Sequence, residues 1–124
     1  MNLDTIRANY CELLGYVPAN IEKRLALAEA ADHSDAILAI EEWREELLHR
    51  NPLNRKTQQL VHFALLIGAA QDKPARLHAT GSLKAGATVH ELFGVAETAA
   101  ITGGMPAFGR AVEIISAAIE ETSL

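Results

Sequence analysis

Between residues 54 and 106 the chain reads NRKTQQLVHFALLIGAAQDKPARLHATGSLKAGATVHELFGVAETAAITGGMP, and its punctuation falls where helices must stop and restart. Lys84, Ala85 and Gly86 close one helix, because glycine takes the left-handed position after a helix without a Cβ clash. Thr88 and Glu91 form a capping box, in which hydroxyl and carboxylate satisfy free amide donors at the next helix start. Gly103 and Gly104 break that helix, and Pro106 suits the first turn of another. This half of the chain is therefore a run of helices joined by short turns.

Composition extends that reading to the whole chain. Hydrophobic residues make up 49% and aromatic residues only 5%, so the apolar content is mainly alanine and branched aliphatics, and alanine with leucine favours helix. An all-α fold of about seven helices is expected. At 124 residues, one domain over 1–124 is expected, in a size range where self-association often adds stability. The net charge of −5 offers no basic face for nucleic acid. The longest apolar run, 63–70, is far short of the roughly 20 residues that span a bilayer, and the N-terminus lacks a basic-then-apolar signal pattern. No membrane association and a cytoplasmic location are expected. The single cysteine, Cys11, excludes an intrachain disulfide and reads as a small buried apolar residue.

Along the chain, Asp4 is the expected cap of a first helix ending near Gly15, and a second covers about 18–31 with Ile21, Leu25 and Ala28 in phase. A third begins at Ser34 or Asp35. Its apolar face is expected to hold Ala36, Ile40, Trp43 and Leu47, with Glu41, Glu42, Glu45 and Glu46 solvated. After the Asn51–Pro52 break, Asn54 caps a fourth helix to about residue 70, and further helices cover about 73–85, 89–102 and 106–121. The segment VHELFGVAETAAITGG is apolar or small nearly all round, which predicts a central position. The last helix carries a stripe wide enough for more than one neighbour, so a homo-oligomer is expected.

The second half also resembles the carboxymuconolactone decarboxylase family, which includes the alkylhydroperoxidase D type thiol peroxidases. The resemblance is carried by KTQQL, by the Leu77–His78 pair, by LKAGAT and by GGMPAF, and is best over 54–121. It implies the alkylhydroperoxidase D-like helical fold and an oligomer, as a dimer, trimer or hexamer. The peroxidase branch carries a Glu, a Cys-x-x-Cys and a His. Anchored on KAGAT, these positions are Gln59, then Gln71 and Pro74, then His78. Only the histidine is kept. Decarboxylating relatives also lack the cysteine pair, although they usually keep the Glu that is Gln59 here.

Six polar positions are candidates for chemistry. His78 shares a helix face with Pro74, Ala75, Gly81, Ser82 and Ala85, small residues that allow close helix approach. It is therefore either an acid–base imidazole in a helix seam or a core histidine with one partner. Gln59 and His62 lie one turn apart and would line one pocket. A neutral Gln59 orients an oxygen but takes no proton. Glu97 sits amid Phe93, Ala100 and Ile101, so it is expected to be buried, either with a raised pKa or in a structural pair with His62, His78 or Arg110. Thr98 and Thr102 either bond back to helix carbonyls or line the pocket.

His33, His49 and His90 read as surface residues, and no histidine pair has the i, i+4 spacing of a helical metal site, so neither metal nor cofactor is expected. The leading expectation is a lyase: acid–base decarboxylation of a small unsaturated carboxylated lactone or related acid, as in aromatic degradation. His78 is its proton donor, Glu97 sets the protonation state of a histidine or acts in relay, and Gln59, His62, Thr98 and Thr102 contact substrate. The alternative is a catalytically silent ligand-binding or assembly module. Peroxide reduction needs a thiolate with a resolving partner, which Gln71 and Pro74 do not supply.

Overall fold

A computed structural model describes residues 1–122. Every regular element among the described residues is helical, and the contacts divide the chain into two compact units, Met1–Pro52 and Leu53–Leu124.

The first unit comprises α1 (Leu3–Leu14), α2 (Ala19–Ala30), α3 (Ser34–Arg44) and a π-helical turn, Glu45–His49. The cap of α1 is Asn2, not Asp4: the Asn2 side-chain oxygen accepts from the Thr5 amide at 2.8 Å. Either residue type can cap. The structure selects the one that stands before the first helical turn. Gly15, at φ 92°, closes α1. Ile6, Tyr10, Leu13 and Leu14 form the buried stripe. Cys11 lies off that stripe and is exposed, which corrects its expected burial.

The buried face of α3 also differs from expectation. Ile37 and Glu41 point inward, whereas Ile40, Trp43 and Leu47 are exposed. A carboxylate is tolerated inside because it is satisfied: the Tyr10 hydroxyl donates to Glu41 Oε1 at 3.0 Å, and Arg24 Nη1 stands 3.9 Å away. Arg44 donates to the same Tyr10 oxygen. Charge and hydrogen bonding thus set the phase of α3 in place of its aliphatic side chains.

The second unit holds α4 (Arg55–Gly68), α5 (Asp72–Lys84) and α6 (Val89–Thr122). The expected caps are present. Asn54 Oδ1 accepts from the Thr57 amide at 2.8 Å, and the Thr88 and Glu91 side chains each accept the other residue's amide, at 3.0 and 2.9 Å. Gly86 is left-handed at φ 99°. Gly104, at φ 81° and ψ −178°, breaks α6 into two arms, and Pro106 opens the second. Among the described residues there are six α-helices, the last broken into two arms, close to the about seven expected.

The core between these helices is built from Phe63, Ile67, Ala75, Ala79, Leu92, Ala96, Ala111 and Ala118, with Ile114 and Ile115. Alanine at so many contacts lets the helices approach closely. A Cβ on Gly103 would stand only 3.0 Å from that of Ala107. The first arm of α6 is not central: Leu92 and Ala96 are buried, but Phe93 and Ile101 are exposed. An apolar composition all round a helix fixes no single buried face, and within this chain only one face is covered.

Candidate functional site

Gln59 and His62 project from successive turns of α4, and His78 comes from the middle of α5. Gln59 is fully buried and His78 nearly so, at 7% exposure, while His62 is half-buried. His78 Nδ1 lies 2.8 Å from Gln59 Oε1. A carbonyl oxygen only accepts, so Nδ1 carries the proton of that bond and the remaining acid–base function of the ring falls to Nε2. The Gln59 oxygen is thereby engaged within the protein. It orients the imidazole, which differs from the expected direct contact with substrate.

The His62 ring stacks on the His78 ring with centroids 3.7 Å apart and planes 29° from parallel. One turn beyond His78, Ser82 donates its hydroxyl to the His78 carbonyl at 2.7 Å. Gln58 was not singled out in the sequence. It is buried beside Gln59, whose amide nitrogen is 3.5 Å from the Gln58 side-chain oxygen. The tandem Gln-Gln was the only signal for it. Thr80 was missed as well: its Oγ1 is buried with no hydrogen-bond partner among the described residues.

Charged groups of this unit lie at its periphery. Lys56 pairs with Glu91 at 3.0 Å, Arg110 with Asp72 at 2.8 Å, and Arg76 with Glu121 at 2.5 Å. The Thr88 amide, then Lys56, hold the Glu91 carboxyl below the usual carboxylate range.

Glu97 does not join the imidazoles. It is exposed on the outer side of α6, where it lines a cavity of about 420 Å³ with Phe93, Ala100, Ile101, Met105 and Phe108. Phe93 and Phe108 meet edge to face there, with centroids 5.9 Å apart. Exposure to water removes the cost that would have forced a partner on this carboxylate. Arg110, one of its expected partners, is paired with Asp72 instead. Thr98 and Thr102 are exposed and line a separate cavity of about 290 Å³ with Leu65, Val95, Ala99 and Gly103. Thr98 Oγ1 donates to the Gly94 carbonyl at 2.9 Å, the helix back-bond that is common for threonine. Of the six expected site residues, the structure therefore assembles Gln59, His62 and His78, and places the other three elsewhere on α6.

An all-helical chain whose second unit seats an amide-oriented imidazole between two helices defines the class. The carboxymuconolactone decarboxylase family model matches residues 34–117, and the chain belongs to that family. The match begins at the start of α3, well ahead of residue 54, where the resemblance was expected to be best, so the matched span takes in α3 and the π-helical turn. No curated protein matches the chain as a relative.

Proposed function

We propose that the protein is an acid–base lyase that decarboxylates a small unsaturated carboxylated lactone or a related acid, with His78 as proton donor. The hydrogen bond from His78 Nδ1 to Gln59 Oε1 carries this reading, because it fixes the ring orientation and directs proton transfer to Nε2. Loss of carbon dioxide leaves the bonding pair on carbon, delocalised toward the conjugated carbonyl. His78 Nε2–H then delivers a proton to carbon, and His62 stabilises the oxygen on which charge collects. Glu97 has no part in this scheme. Thr98 and Thr102 line a different cavity and have no part in the scheme either. The working form is a cytoplasmic homo-oligomer, a reading supported by the exposed apolar face of α6.

The test is carbon dioxide release from a panel of unsaturated carboxylated lactones. His78→Gln is expected to lower turnover by about 100-fold or more, with the helical circular dichroism unchanged; an unaltered rate would remove His78 from the reaction.

One observation favours a second reading, a silent ligand-binding or assembly module. Gln59 presents a neutral amide to the imidazole where a carboxylate would strengthen it as a base. That module would bind small acids measurably and release no carbon dioxide from any of them.

A further inference from the structure

The stacking of His62 on His78 has consequences beyond the orientation of one ring. At a centroid separation of 3.7 Å and 29° between planes, ring faces oppose each other, so no proton passes directly across the stack. Charge is felt across it instead. Two imidazolium rings in contact repel strongly when one is buried and the other half-buried, because little water screens them.

Gln59, the side chain on Nδ1 of His78, is neutral and offsets no second positive charge. The charged side chains of the packed helices are engaged with one another: Lys56 of α4 with Glu91 of α6, Asp72 of α5 with Arg110 of α6, and Arg76 with Glu121. Arg55 is the first residue of α4, Lys73 and Lys84 stand at the two ends of α5, and Glu97, Glu113 and Glu120 are exposed on α6.

We propose that His62 and His78 carry one positive charge between them at rest, and that His62, besides facing the substrate oxygen, sets the acidity of His78. A proton taken from solvent by half-buried His62 makes the His78 imidazolium the stronger acid. That favours its discharge from Nε2 onto the carbanionic carbon, whose electron pair forms the new C–H bond. His62 then returns its proton to solvent, and the neutral ring lets His78 take up its next proton. The net uptake is one proton per carbon dioxide lost, which balances conversion of a carboxylate to a C–H bond.

This inference rests on the reading of His78 as proton donor, but its test needs no turnover. Ring resonances of His62 and His78 are followed by NMR across pH in the intact protein. Two steps are expected, separated by more than about one pH unit, with each ring responding in both. In His62→Phe, which keeps an aromatic ring over His78 and removes its charge, His78 is expected to show one step at higher pH; His62→Gln repeats the measurement if phenylalanine disturbs the fold. A single wild-type His78 step, indifferent to His62, overturns the proposal, and the wild-type titration decides alone if both variants misfold. Coupled rings without carbon dioxide release would instead overturn the decarboxylase reading and leave the pair intact.

Discussion

The Gln59–His78 bond is the smallest unit on which the chemistry depends, and its neutrality is its main property. Replacing Gln59 with Glu would place a carboxylate on Nδ1–H at the present 2.8 Å. An adjacent opposite charge favours the imidazolium, so the His78 titration is expected to move up by about one unit or more, read by NMR or as the same shift in a pH–rate profile. Thr80 offers a test of packing. Its buried Oγ1 has no partner among the described residues, and Thr80→Val removes that polar atom at nearly constant shape. The expected gain is about 1 kcal/mol, measured as a higher denaturant midpoint.

Tyr10 gives the first unit a pH signature. Burial foremost, with the Glu41 charge and hydrogen bond adding and Arg44 opposing, pushes its phenol up to about 12 from 10.0. A raised pKa means that the unfolded chain ionises first. The contribution is complete below 10 and is lost as pH rises toward 12. Phenolate absorbance in the near ultraviolet should show this late step, and Tyr10→Phe should delete it.

At the scale of elements, helix ends were legible where the signal is local. Asn54, Gly86 and the Thr88–Glu91 box depend on side chains within a few residues, and each was read correctly. The turns after α2 and α4 were not, because their left-handed residues are Asp32 at φ 55° and Ala70 at φ 57° rather than glycines. Both close like Gly86, with the following amide reaching the carbonyl five residues back: His33 to Ala28 and Gln71 to Leu66, each at 2.9 Å. Alanine in this conformation carries a Cβ penalty of roughly 1–2 kcal/mol. Ala70→Gly, relieving it at some cost in unfolded-state entropy, is expected to stabilise the protein by about 1 kcal/mol in denaturant titration. The phase of α3 was illegible for a different reason. A carboxylate reads as solvated until Tyr10 and Arg24, remote in sequence, are known to meet it.

For the whole molecule, the same ambiguity separates what was read correctly from what was not. The histidine, its glutamine and the neighbouring imidazole were recoverable because helical spacing and family resemblance pointed to one seam. Glu97 was misplaced because an apolar run around a helix looks alike whether the chain's own core covers it or another molecule does. Ile101 is 90% exposed, Met105 69% and Phe93 47%, and these side chains share one cavity on α6. A contiguous apolar surface of this kind is uncommon on a monomer. A second copy of the chain would remove it from water and would bring Glu97 into an apolar setting only in the assembly. Ile101→Asp places a charge at the most exposed point of this face, on a side chain outside the buried core. It is expected to convert the oligomer to monomer in light scattering after size exclusion, with helical content retained. A wild-type chain that elutes as a monomer at every concentration would show that this face is left open to water.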